Sequence, residues 1–252
     1  LRLFAMVGRQ FHGAIPPLAH VLSATDDRYV VDLCAGSGGP WPGLYDKIDG
    51  HPPIVVLTDL FPNQQAWVRA RQRSGGRIQY VNRSVNAVSV PADLPGVRTL
   101  FTAFHHFEPA RATAILQDTV DAGQGIAIFE QTRRSLAAVL FMLVLAPLAL
   151  FGTPLIRPFR WSRLFWTYII PAIPLVLLFD GVVSCLRTYS DAELRAMTDG
   201  LGGPAYVWKT GCARSLFSPL GISYLIGYPA VYAGEGRSDE GVVVAPRVAR
   251  TK

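Results

Sequence analysis

Short apolar runs alternate with amphipathic stretches over the first half of the chain. The run from Tyr29 to Leu33 ends in the glycine-rich segment 34–39 and is followed by Pro40 and Pro42. This pattern predicts a strand, a glycine loop and a helix whose first turn accepts proline. A second buried strand spans 54–58 and ends at Asp59, a helix covers 63–73, and Gly75 and Gly76 stop it before a third strand at 78–81. A fourth strand is expected at 98–103, a helix at 109–120 and a fifth strand at 125–129. Upstream, Leu3, Phe4, Val7, Phe11, Ile15, Leu18, Val21 and Leu22 recur at helical spacing, with Pro16 and Pro17 expected to break the helix. Strands and helices in strict alternation predict an α/β fold, a doubly wound, mostly parallel sheet with helices on both faces.

After Arg134 the pattern changes. Residues 136–156 carry no charge, and 164–186 carry only Asp180; Arg157, Arg160 and Arg163 lie between the two stretches. Proline interrupts both, at 147, 154, 171 and 174. An ordinary amphipathic helix then opens at Ser190 with a capping box to Glu193. Runs at 206–213 and 222–228 read as a closing hairpin, and a Gly-rich charged tail begins at Gly234. The expected organisation is an N-terminal helical cap (1–24), a sheet domain (25–134 with 187–233), an apolar insertion (135–186) and a loose tail (234–252).

Composition sharpens this division. Of 252 residues 50% are hydrophobic and 17% charged, against about 25% charged in ordinary soluble domains, which excludes a disordered chain. Mean hydropathy is +0.26. The deficit of charge is local, since only four of the 24 basic and 18 acidic residues fall within 136–186. Net charge is +6, and all basic residues but Lys47, Lys209 and Lys252 are arginine. The arginines are dispersed and do not interleave with aromatics, so no nucleic-acid partner is expected. Cys34, Cys185 and Cys212 form no paired motif, which suits a reduced, cytosolic setting, and no metal site is expected.

A strand–glycine loop–helix unit presents backbone amides at the carboxyl edge of a sheet, where polar cofactors bind. A dinucleotide fingerprint would need a third glycine where Trp41 stands. The alternative is a ligand without a pyrophosphate, held by one acid at the start of the loop and another after the second strand. Asp32 and Asp59 fit that arrangement, Asp59 as acceptor for both ribose hydroxyls and Asp32 facing an ammonium or sulfonium centre.

Residues 30–39, from Val30 through Asp32, Cys34, Ala35, Gly36 and Gly38, resemble motif I of the class I S-adenosylmethionine-dependent methyltransferases. Leu57 to Leu60 is similar to motif II, Arg83 to Asn86 to the adenine-contacting segment, and Thr102 to Phe107 to the segment after strand four. The helix from Ser190 with its hairpin resembles the family's ending. The resemblance implies a Rossmann-like sheet of seven strands, the last antiparallel. It also implies S-adenosylmethionine as cofactor, bound by Asp32, Cys34, Ala35, Gly36, Gly38, Asp59, Leu60, Ser84, Val85 and Phe104. Two positions depart from the family pattern: Cys34 replaces a glycine, and Ser84 replaces an acid.

Methyl transfer from a sulfonium demands alignment, and a base only where the acceptor carries a proton. His105 and His106 follow strand four and are candidate bases, the alternative being that one orients the loop and the other packs. Glu130, just past strand five, is a second candidate, the alternative being an ion pair with Arg133. Cys212 is expected to be a buried thiol and Asp93 a turn residue.

The insertion admits three readings. A spanning hairpin would send its arginines across the membrane, against the positive-inside tendency. An interfacial or re-entrant pair would keep Arg157, Arg160, Arg163, Phe159, Trp161 and Trp166 at the headgroups. A soluble cap would bury the block against the N-terminal helix and a lipophilic substrate. The interfacial reading is preferred. It predicts a methyltransferase at the cytoplasmic face of a membrane, with a lipophilic small molecule as acceptor and membrane lipid as partner of residues 135–186. The rivals are a membrane-attached protein that kept the fold without catalysis and an RNA methyltransferase.

Overall fold

The computed structural model describes residues 9–48, 52–156, 159–215 and 218–230. Seven strands form one sheet: β1 (Tyr29–Asp32), β2 (Ile54–Leu57), β3 (Ile78–Tyr80), β4 (Val97–Phe101), β5 (Ile126–Glu130), β6 (Tyr206–Ser215) and β7 (Ser218–Pro229). Their order is β3-β2-β1-β4-β5-β7-β6. The first five run parallel, and β7 pairs antiparallel with both β5 and β6. The strand order reverses between β1 and β4, and a ligand crevice forms at such a switch point, outside the carboxyl ends of the strands. Val31 pairs with Val56 on one side and Arg98 on the other, so Asp32 ends β1 between Leu57 and Thr99.

Two-residue periodicity divides the core. Val30, Val97, Ala127 and Phe129 face one layer; Val31, Leu100, Ile126 and Ile128 face the other. The first layer is covered by α1 (Ile15–Thr25) through Leu18, Val21 and Leu22, and by α2 (Gln64–Arg73) through Trp67 and Ala70. The second is covered by α3 (Pro109–Asp121) through Ala112, Ile115 and Leu116, and later in the chain by Leu194. Asn63 caps α2 by accepting from the Ala66 amide at 3.3 Å.

Two local expectations are corrected. Pro16 and Pro17 begin α1 instead of breaking it, because first-turn amides have no intrahelical acceptor to lose. The glycine loop leads into two single 3-10 turns, Trp41–Gly43 and Tyr45–Lys47, not a helix. Pro40, Pro42 and Gly43 leave too few donors and too little helix propensity there, and Trp41 instead drives fully into the core. Leu3, Phe4, Val7 and the expected tail from Gly234 lie outside the described residues.

The insertion comprises α4 (Leu136–Gly152), a turn at Thr153–Leu155, α5 (Trp161–Leu164), a π turn (Phe165–Ile169) and α6 (Ala172–Arg187). The helix α4 continues through position 147, whereas the chain breaks before α6 at Pro171. The helices α4 and α6 pack against each other where Gly181 meets Met142, with space for no Cβ: one added there would lie 2.9 Å from the sulfur. The remainder is not a buried core. Leu136, Phe151, Leu155, Trp161, Ile169 and Phe179 are each between 71% and 79% exposed. Among the described residues no single helix is long and apolar enough to cross a membrane; Trp161–Ile169 and Ala172–Arg187 pass together as a pair bent by 73°. The chain returns to the sheet through α7 (Asp191–Thr198), whose capping box joins Ser190 and Glu193.

Candidate active site

At the β1–β2 edge the glycine loop is closed by the second acid. Asp59 Oδ2 accepts from the Gly36 amide at 2.8 Å and Oδ1 from the Phe61 amide at 2.9 Å. A carboxylate offers about four lone-pair positions, so both oxygens keep capacity for a ligand. Trp67 Nε1 donates to the Gly36 carbonyl at 2.9 Å, fixing the loop from beneath. Gly36 has φ +51, and nothing lies within 4 Å of where its Cβ would stand, leaving a cradle open to a ligand. Ser84 Oγ donates to the Leu60 carbonyl at 2.8 Å, and the Val85 amide donates to the Asp59 carbonyl at 2.9 Å. The segment after β3 is thereby clasped to the segment after β2. Leu60 and Phe61 are exposed beside Asp59 and give the crevice an apolar wall.

Asp32 is buried and accepts from Thr99 Oγ1 at 2.7 Å. Burial raises its pKa to about 7; Thr99 and the Trp41 indole pull it back, and the charge of Asp59 adds to the rise. Trp41 Nε1 makes no aligned hydrogen bond among the described residues, so its effect on Asp32 is that of a nearby dipole. Cys34 takes the left-handed conformation at φ 58, as the glycine it replaces would. Its thiol, pushed up to about 12 mainly by burial and then by Asp59 and Asp32, stays protonated and is no nucleophile.

The β4–β5 edge is built differently. Thr102, directly after β4, has φ 52, an outlier for a β-branched residue and the mark of a locally over-determined turn. The single turn Phe104–His106 follows. Phe104 is buried in the second core layer against Tyr189, ring centroids 5.5 Å apart. His105 is buried and clamped by Glu130: its amide donates to Oε1 at 3.2 Å and Nδ1 meets Oε2 at 2.8 Å. Its other nitrogen, Nε2, lies 3.1 Å from Ser184 Oγ on α6. His106 stacks 4.2 Å from His105, centroid to centroid, but is exposed, and its carbonyl accepts from Arg187 at 3.1 Å. Desolvation, then His105, lower the His106 pKa, while Glu130 and Asp180 oppose them. It is therefore neutral near pH 7.

The candidates fall into two groups on adjacent strands at the same sheet edge. Asp32, Cys34, Ala35, Gly36, Gly38, Asp59, Leu60, Ser84 and Val85 cluster around β1 and β2, while Phe104, His105, His106 and Glu130 cluster around β4 and β5. Glu130 pairs with His105 and not with Arg133, which reaches the Cys212 sulfur at 3.3 Å and the Leu220 carbonyl. Cys212 is exposed, not buried, because it sits on the edge strand β6. Asp93 lies in a turn as expected and pairs with Arg83 at 2.5 Å. Sequence reasoning missed Thr99, Thr102 and Ser184. Only Thr99 left a signal, as a hydroxyl beside Arg98 in the short strand β4.

No protein-family model and no curated protein matches the chain. Solved structures do. Mitomycin 7-O-methyltransferase MmcR superposes with a TM-score of 0.51 at 13% identity, over 90% of this chain and 54% of its own. An O-methyltransferase family protein from Burkholderia thailandensis gives 0.50 at 14%, over 88% and 57%. The methyltransferase domain of bacterial CtHen1-CN gives 0.50 at 11%, over 86% and 97%. The chain has the class I methyltransferase fold. It spans little more than half the length of the two O-methyltransferases, and the fold is what the three structures share with it.

Proposed function

We propose that the protein is an S-adenosylmethionine-dependent methyltransferase acting on a lipophilic small molecule. The observation that carries this reading is the Asp59 clasp, in which the carboxylate accepts from the Gly36 and Phe61 amides while Ser84 and Val85 donate to the backbone carbonyls of Leu60 and Asp59. The residues present suit the cofactor. Asp59 retains lone pairs for ribose hydroxyls, Gly36 leaves open space, Leu60 and Phe61 offer an apolar face for a base, and Asp32 offers a carboxylate toward positive charge. The loop lacks a following helix and so lacks a strong pyrophosphate site, which also favours this cofactor over a dinucleotide. The cofactor supplies an electrophilic methyl group.

This chain's own residues align the acceptor and manage its proton. Glu130 holds Nδ1 of His105, the geometry that leaves Nε2 as the basic nitrogen. Such a pair suits an acceptor that loses a proton, a hydroxyl above all. His106 is the exposed alternative base. The insertion, with its exposed Phe151, Leu155, Trp161 and Phe179, supports an acceptor that partitions into lipid, and supports residence at the cytoplasmic face of a membrane. The bent pair of helices favours interfacial insertion over a straight span.

Calorimetry with S-adenosylmethionine tests the cofactor. The wild type should bind it, and a wild type that does not would end the methyltransferase reading. Vesicle flotation tests the membrane. The wild type should float with liposomes, and replacing Phe151, Leu155, Trp161 and Phe179 by serine should leave it in the bottom fraction. Equal flotation of both proteins would remove the membrane from the proposal and leave the cofactor standing.

A further inference from the structure

We propose that Ser184 is a placeholder for the acceptor's hydroxyl, carried into the site by the insertion helix α6 and withdrawn when an acceptor arrives. This rests on the methyltransferase reading and on His105 as its base. Both ring nitrogens of His105 are engaged: Nδ1 with Glu130 at 2.8 Å and Nε2 with Ser184 Oγ at 3.1 Å. With an acceptor-only carboxylate on one side, Nδ1 carries the proton, and Nε2 accepts from the serine hydroxyl. Ser184 therefore fills the position from which a substrate hydroxyl would give up its proton. It also closes that position, since His105 is only 2% exposed and Ser184 is itself buried.

What holds α6 there is a short polar seam at its last two turns. Thr188 Oγ1 meets Thr132 Oγ1 at 2.7 Å and donates to the Ser184 carbonyl, and Arg187 donates to the His106 carbonyl. Arg134, on the chain leaving β5, donates to the Leu186 carbonyl at 2.9 Å. Toward its start α6 mixes half-buried positions with exposed ones, among them Leu175, Val176, Leu177 and Phe179. The helix α6 is held by this seam and by α4, not by the hydrogen-bond ladder of the sheet, so it can shift its hydroxyl off Nε2 together with α4 without unfolding the sheet. Glu130 thus holds the base in its productive tautomer, and the insertion keeps water from it until a hydroxyl of the acceptor replaces its own.

The test follows the side-chain nitrogens of His105 by 15N NMR in the cofactor-free full chain, titrated with 4-phenylphenol and, as the hydroxyl-free control, biphenyl. In the wild type 4-phenylphenol should perturb Nε2 and biphenyl should not. In Ser184→Ala, Nε2 should start at the free-acceptor position, and 4-phenylphenol should bind about tenfold tighter, because no internal hydrogen bond is displaced. Biphenyl affinity should not change. Ser184→Thr, which restores a hydroxyl, should return both the resonance and the affinity to wild-type values. If 4-phenylphenol fails to bind the wild type, or binds without moving Nε2, the proposal is overturned whether or not the variants fold. Equal 4-phenylphenol affinity in wild type and Ser184→Ala overturns it as well. No cofactor enters this titration, so its failure is separable from a failure to bind S-adenosylmethionine.

Discussion

The two halves of the sheet's carboxyl edge reach order by different means. Around β1 and β2 the groups that matter are near one another in sequence or belong to adjacent strands, and most contacts are backbone amides closing on Asp59. Around β4 and β5 the connections are distant. Glu130 lies 25 residues from His105, and Ser184 lies 79 residues away. The first half is polar and leaves an open cradle; the second is buried and sealed by an insertion whose outer surface is apolar. A local, amide-rich site can be recognised as a pattern. A site assembled from three separate elements depends on where the chain goes between them.

Removing Glu130 should break the second half hardest. Glu130→Ala strands a buried imidazole nitrogen and a buried amide, each costing about 1–3 kcal/mol, so thermal unfolding should show a loss of about 3 kcal/mol. A loss under ~1 kcal/mol would mean that water satisfies His105 unaided. Asp59→Ala breaks the first half. It removes two amide contacts and the proposed ribose contact, and cofactor affinity measured by calorimetry should fall about 100-fold, or about 2.7 kcal/mol. Unchanged affinity would remove Asp59 from the site.

Asp32 supplies a pH test with a defined sign. Its folded pKa, about 7, lies above its ordinary value of 3.8. Between these values the folded state keeps a proton that the unfolded state releases, so stability is complete below about pH 4 and falls as pH rises toward 7. The slope approaches about 1.4 kcal/mol per pH unit where the two states differ by one proton. Asp32→Asn should flatten this slope in denaturant melts across pH 4–7. A positively charged ligand favours the ionised form, so its affinity should rise from pH 6 to pH 8; a flat profile would place the charge away from Asp32. The smallest effect belongs to Cys34→Gly. Relief of the left-handed conformation, about 1 kcal/mol, is partly offset by the freer unfolded chain, and the melting temperature should rise by a few degrees or stay level. A clear drop would show that the thiol's packing outweighs its strain.

How far each half could be read in advance follows from the same contrast. Short apolar runs located β1 through β5 to within about a residue at most ends, because each run is bounded by glycine, proline or an acid and the central strands β4 and β5 are buried on both faces. The loop, Asp32 and Asp59 were legible as a motif. The helix after the loop was misread, because proline at a first turn is compatible both with a helix and with the short 3-10 turns that form here. Glu130 was recognised as a candidate, but its partner was not. Arg133, three residues on, is the local choice, whereas His105 becomes its neighbour only because β4 and β5 lie side by side.

The sequence by itself determined the alternation of elements, the glycine loop with its two acids, and the position and apolarity of the insertion. These follow from residue type at short range: periodicity, backbone freedom and side-chain charge act within a few positions. Tertiary structure decided that His105 lies inside and His106 outside, that Asp32 is buried enough to keep its proton near neutrality, and that a serine from the insertion closes on the histidine. Neighbouring histidines are indistinguishable by composition. What separates them is desolvation and the partners that packing brings within about 3 Å, and those depend on the path of the whole chain.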